Sequence, residues 1–387
     1  MPWIRSRPHL LLRAVVLTAA GAIALTACAG PVPAPDSTDA TAVAGCTPAS
    51  ATPLGDLDPV EDPRSITGPS SACLSSEAIQ TPETAPVPQL PVTVTDNQGT
   101  EVTVTDASRI LALDMSGTLA ATVFALGLGD NVVGRDTSTG FDQAADLPLV
   151  TQGGHQLNAE SILGLDPSVV ITDSSIGPWD VVLQLRDAGI PVVVVTPQRS
   201  ADTIGPLIDA VAEALGVPAA GTALAHEVAA RLAQIEEQIA AIAPVDDADR
   251  LRMVFLYVRG AANVYYLFGE ESGADALIRS LGGIDVASEI GIQGNRPLTA
   301  EALVEAAPDL VLVMTKGLES VGGVDGLLDA VPALAETPAG RNRRIVDMSD
   351  YDILSFGPRY PEVLDALARA IYTPEESEAD AGSDADG

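Results

Sequence analysis

Lysine is almost missing from this chain. It occurs once in 387 residues, at Lys316, against 19 arginines, and those 20 basic residues face 53 acidic ones. A formal net charge of −33 excludes nucleic acid as a partner, because a phosphate backbone is held by a basic surface. It excludes electrostatic docking on anionic lipid for the same reason. The preference for arginine over lysine, with abundant alanine, reads as the mark of a GC-rich genome. Histidine occurs three times, as His9, His155 and His226, too few for a zinc or manganese site built from several imidazoles. Aromatic residues make up only 3%, so any local crowding of them stands out. The chain has no Gly-x-Ser-x-Gly elbow, no cysteine with a partner histidine and no phosphate loop, which argues against a hydrolytic α/β enzyme. Gly127-Leu128-Gly129 is too incomplete to be a dinucleotide fingerprint.

The N-terminus is a targeting segment. Arg5, Arg7 and Arg13 form a basic region, and the apolar stretch from Ala14 to Leu25 is too short for a spanning helix. Leu25-Thr26-Ala27-Cys28 follows and resembles a bacterial lipobox. That predicts a signal peptide over residues 1–27, acylation of Cys28 and a lipid-anchored protein on the outer face of the cytoplasmic membrane. An ordinary secretory signal, cleaved after small residues, is the alternative. Outside the cytoplasm the remaining pair, Cys46 and Cys73, favours a disulfide over two separate thiols. Residues 28–90 are rich in Pro, Ser, Thr, Ala and Asp and read as a flexible tether. Residues 373–387 are acidic and rich in helix breakers, and read as a disordered tail.

Between these ends the chain repeats itself. Residues 157–172, LNAESILGLDPSVVIT, align with residues 298–313, LTAEALVEAAPDLVLV, in their Leu, Ala, Glu and Pro positions and in the closing apolar run. Each copy reads as a short helix followed by a buried strand. Alternating helices and strands over 91–202 and again over 244–372 predict an α/β protein of two lobes, each with a mostly parallel sheet flanked by helices. Residues 203–243 are helical almost throughout, broken near Gly216-Val217-Pro218, and Ala219 to Ile242 form one long rigid helix that bridges the lobes. Two lobes leave a cleft, and clefts hold ligands.

A few residues could serve such a cleft. His155 follows two glycines in Gly153-Gly154-His155 and is either a ligand-facing or a surface-loop histidine. His226 lies midway along the long helix and reads as a solvated residue. Tyr257 and Arg259 stand two apart at the end of a strand, so they share a face, either in a core or toward a ligand. Phe255, Tyr257, Tyr265, Tyr266 and Phe268 crowd into fourteen residues and would wall a flat apolar ligand or fill a core.

These features together resemble the class III solute-binding proteins of ABC importers, the group that handles haem, siderophores and cobalamin. The resemblance covers roughly residues 90–372 and rests on the hairpin near Val92–Thr105, on Arg109-Ile110-Leu111-Ala112-Leu113, on both repeat copies and on Phe356-Gly357-Pro358-Arg359-Tyr360-Pro361. It implies binding without catalysis, and a stiff linker helix that limits closure. Haem-binding members use a histidine from the first lobe and a tyrosine from the second, with an arginine two residues on. His155, Tyr257 and Arg259 match that pattern. The resemblance thus implies a monomeric haem-binding lipoprotein with haem as its cargo, His155 and Tyr257 as iron ligands and Arg259 beside them. It also implies the permease and its ATPase as partners, with upstream haem receptors as candidate donors. A neighbouring guanidinium favours phenolate, a hard ligand suited to ferric iron. Arg135 is the candidate for the haem propionates. Glu160 and Glu301, equivalent in the two repeat copies, match the glutamates that dock family members on the permease. A ferric siderophore or another metal chelate is the alternative cargo.

Overall fold

The computed structural model describes residues 52–374. The signal segment, Cys28, Cys46 and the tail beyond residue 374 lie outside the described residues. In the first lobe, Ile110–Leu113, Val169–Thr172 and Val192–Val194 form a three-stranded parallel sheet in that order. All of these strand residues are buried, as continuous apolar runs covered by helices on both faces should be. The predicted hairpin pairs Val92–Thr95 with Glu101–Val104 outside this sheet. Val102 and Val104 face inward while Glu101 and Thr103 face water, the period-two signature of a half-buried strand.

The second lobe carries a seven-stranded sheet. Ser70–Ala72, Ile345–Met348, Leu310–Met314 and Arg252–Arg259 run parallel, and Val264–Phe268 and Asn295–Pro297 continue antiparallel. Ile284–Asp285 pairs with the start of Arg252–Arg259. Both repeat copies fold alike. Asn158 and Thr299 cap short helices, Ala159–Gly164 and Ala300–Ala306, by accepting the N–H of Ser161 and Ala302. Each helix then leads, through Pro167 or Pro308, into a central parallel strand.

One helix joins the lobes, Pro218–Ile242, with proline at its first turn where no N–H is needed. Its 25 residues span about 37 Å at 1.5 Å per residue. Ala220 and Leu224 pack on the first lobe's core, and Val228, Leu232, Ile235 and Ile239 enter the second lobe's core. It crosses the helix Ala201–Ala214 closely: a Cβ on Gly221 would stand 2.4 Å from that of Ala212. Among the described residues no helix is long and apolar enough to cross a membrane.

The tether expectation is corrected over the described part of its span, residues 52–90. Leu54 and Leu74 are buried in the second lobe's core, Ser70–Ala72 extends its sheet, and Ile79 is buried in the first lobe's core. Few apolar anchors suffice here, because an edge strand supplies backbone partners whatever the side chains are. Cys73 is disulfide-bonded.

Candidate functional site

The cleft lies at the carboxyl ends of parallel strands in both lobes, where open α/β sheets place their ligands. It encloses about 700 Å³, within the range of small-molecule sites. His155 comes from the first lobe. Thr151–Gln152 and Gln156–Leu157 form a short hairpin, and Gly153 and Gly154 at its tip take φ of +55° and +94°. Glycine meets that demand without strain, and the tight turn presents His155 to the cleft.

The imidazole is held from behind. Ser138 Oγ lies 3.3 Å from His155 Nδ1 and donates its hydrogen to the Met115 carbonyl at 2.6 Å. A hydroxyl has one proton, so toward Nδ1 the serine acts as acceptor. Nδ1 therefore carries the hydrogen, and Nε2 keeps a free lone pair for a metal. Burial first, and then the charge of Arg259, lower the pKa of His155 and favour this neutral form.

Tyr257 and Arg259 come from the second lobe and both line the cleft. The Tyr257 ring stacks on Phe268 at 5.8 Å, and Phe268 lies 5.2 Å from Phe255. Arg259 places its guanidinium carbon 4.5 Å from the Tyr257 ring centroid and pairs with Asp350 at 2.9 Å. The aromatic cluster divides by depth along one face of the sheet, and by strand alternation only at Tyr265. Tyr257, Tyr266 and Phe268 line the cleft, Phe255 is buried core, and Tyr265 packs against the core on the opposite face of the sheet.

Arg135 is a correction. It does not line the cleft: its guanidinium donates to the carbonyls of Asp136 and Thr139. Arg135 pairs in register with Leu149, and alternation turns Asp136 inward in its place. His226 is exposed on the long helix, as expected.

Beneath the cleft lies a carboxylate cluster that sequence reasoning missed. Asp114, Asp136 and Asp173 are each 0% exposed. Arg199, at the cleft wall, pairs with both Asp114 and Asp173. Asp136 accepts N–H groups from Asp114, Ser138 and Thr139, and so shapes the loop that carries Ser138 behind His155. Asp114 and Asp173 each directly follow a fully buried strand, and that position was the available signal.

Burial, and next the Asp114 carboxylate, push the Asp136 carboxyl up to about 7. Asp173 is likewise raised, by burial and then by Asp114, with Arg199 opposing. One guanidinium among three buried carboxyls does not support full ionisation. A carboxyl raised above its unfolded value, near 4, contributes stability that is fully present below that value. The contribution is lost as pH rises through the folded value. Denaturation curves from about pH 5 to pH 8 should therefore show stability falling, by up to about 1.4 kcal/mol per pH unit for one proton. Asp136→Asn should flatten that slope, at a cost of ~1–3 kcal/mol in acid, because an amide nitrogen cannot accept the Asp114 N–H. An unchanged slope in the variant would assign the effect to other groups.

The family profile described as periplasmic binding protein matches residues 115–351, most of the two-lobed body. The chain belongs to the periplasmic binding protein family. Members bind solutes and do not transform them, which agrees with the absence of hydrolytic motifs. Among solved structures, the chain is 42% identical to the heme binding protein HmuT, covering 81% of this chain and 99% of that one, with a TM-score of 0.77. It is 26% identical to YvrC of Bacillus subtilis (strain 168), an uncharacterized ABC transporter substrate-binding lipoprotein, over 73% of this chain and 86% of YvrC. It is 27% identical to a cobalamin-binding protein of Halobacterium salinarum, over 79% of this chain and 81% of that one.

Proposed function

We propose that this protein captures ferric haem between its lobes, with His155 and Tyr257 as the axial ligands, and delivers it to the permease and ATPase of an ABC importer. The observation that carries the reading is a histidine on one wall and a Tyr-x-Arg pair on the other wall of one cleft. Aromatic walls from Tyr257, Tyr266 and Phe268 suit a flat macrocycle. Among the described residues no group of three or more His, Cys, Asp or Glu could hold a bare ion, so an iron cargo must bring most of its own ligands. The greater likeness to a haem binder than to a cobalamin binder points the same way. A ferric catecholate is less well served, because Arg199 and Arg259 are already paired with aspartates. The lipid anchor at Cys28, with the protein on the outer face of the cytoplasmic membrane, completes the proposal.

Titration of the purified protein with ferric haem tests it. One equivalent should produce a shifted Soret band, and a wild type that takes up no haem ends the reading.

Docking on the permease is assigned to Glu160 and Glu301. Both are exposed in the first turn of equivalent short helices, where the dipole also favours a carboxylate. The double variant Glu160→Arg, Glu301→Arg should cut haem uptake by at least about tenfold through like-charge contact, and leave haem affinity unchanged. Uptake that survives the double reversal would remove the docking role.

A further inference from the structure

Among the described residues three cations line the cleft, and two are already engaged. Arg199 pairs with Asp114 and Asp173, and Arg259 pairs with Asp350. The third is Lys316, the only lysine of the chain. Its side chain is exposed, and among the described residues its ammonium forms no ion pair. In a chain with 53 acidic residues, an ammonium without a carboxylate partner on a ligand cleft is an open position for one.

The surroundings hold that position in place. Asp350 accepts Arg259 on one carboxylate oxygen and the Lys316 main-chain N–H on the other, each at 2.9 Å. One aspartate therefore neutralises Arg259 and fixes the lysine beside it. Lys316 Nζ donates to Tyr351 Oη at 2.7 Å and stands 4.2 Å from that ring's centroid. With its oxygen accepting from the ammonium, the Tyr351 hydroxyl keeps its own hydrogen to donate. The ring rests on the opposite lobe: a Cβ on Gly140 would stand 2.3 Å from it, so only glycine leaves room for the tyrosine there.

We infer that Lys316 and Tyr351 form a carboxylate-recognition subsite at the cleft wall. A carboxylate on the ligand accepts an N–H from the ammonium on one oxygen and the phenolic O–H on the other. The inference rests on the haem reading and specifies it: the site selects a porphyrin with free propionates, and it fills the role first expected of Arg135.

The test compares ferric protoporphyrin with its dimethyl ester, which keeps the ring and iron but removes both carboxylates. Wild type should bind the free acid about tenfold to a hundredfold more tightly than the ester, the range for a charge-assisted contact. Lys316→Met should lose that preference, binding the free acid as weakly as the ester with an unchanged Soret band shape. Lys316→Arg should restore part of it, and Gly140→Ala, which displaces the Tyr351 ring, should reduce it with Lys316 intact. A wild type that binds both porphyrins equally, or a Lys316→Met variant that keeps the full preference, overturns the subsite and leaves the haem reading standing. A wild type that takes up neither porphyrin overturns both.

Discussion

Replacing Tyr257 with phenylalanine is expected to weaken ferric haem binding on the order of a hundredfold or more, since even groups one shell removed from a metal are worth about 10–100-fold in its affinity. The phenolate-to-iron charge-transfer band should vanish with it. Phenylalanine is the informative change because it removes one oxygen and keeps the ring stacked on Phe268. Alanine would also remove that packing, and lost stability would blur the result. The tyrosine should matter more than the histidine. Phenolate is anionic and offsets the charge of ferric iron, whereas a neutral imidazole does not. His155→Ala should therefore leave a weaker complex with an altered spectrum rather than none. Tyr257→Phe with wild-type affinity would remove the tyrosine from the iron and, with it, the main support for the cargo assignment.

The two lobes and the strut were legible because they are written in local periodicity. Apolar runs such as Ile110–Leu113 and Leu310–Met314 are strands whatever surrounds them, and Pro218 opens the long helix by itself. For His155 and Tyr257 local pattern went only part of the way: two glycines announce a turn and a two-residue spacing a shared face, and it was the family resemblance that singled the two out as a pair; both line the cleft. The remainder of the site depends on pairs distant in sequence. Arg199 meets Asp114 across 85 positions, and Lys316 meets Tyr351 across 35. Composition misled in two places. A lone lysine looked like genomic bias, yet it stands on the cleft. The Pro- and Ser-rich stretch before residue 90 looked like a free tether, yet Ser71 and Asp347 share a hydrogen bond 276 residues apart. Backbone pairing at a sheet edge leaves little trace in side-chain pattern. Arg135 was misplaced because a strand-end arginine carries no sign of which face it takes.

Arg344→Met is expected to be among the most damaging single changes to stability, costing ~3–5 kcal/mol. Arg344 is 1% exposed, yet no carboxylate faces it among the described residues. Its guanidinium donates instead to the carbonyls of Ala370 and Ile371 at 2.7 and 3.0 Å, and to Ser70 Oγ at 2.7 Å. Ala370 and Ile371 stand in the last turn of the helix Tyr360–Tyr372, where carbonyls lack intrahelical partners and the dipole favours a cation. Ser70 opens the strand that extends the second lobe's sheet. One side chain thus caps the final helix and pins the N-terminal strand to it. Burial lowers the arginine's pKa only to about 10, so it remains charged at neutral pH. Methionine fills similar volume but strands the carbonyls away from water, which separates lost hydrogen bonds from lost packing. Thermal unfolding should shift down by roughly 10 °C, and amide exchange over Ser70–Ala72 should rise before global unfolding. Haem binding at low temperature should be unaffected, because the residue lies away from the cleft lining. A midpoint within about 2 °C of wild type would mean that water replaces the guanidinium at the helix end, and the cap would carry little of the fold's stability.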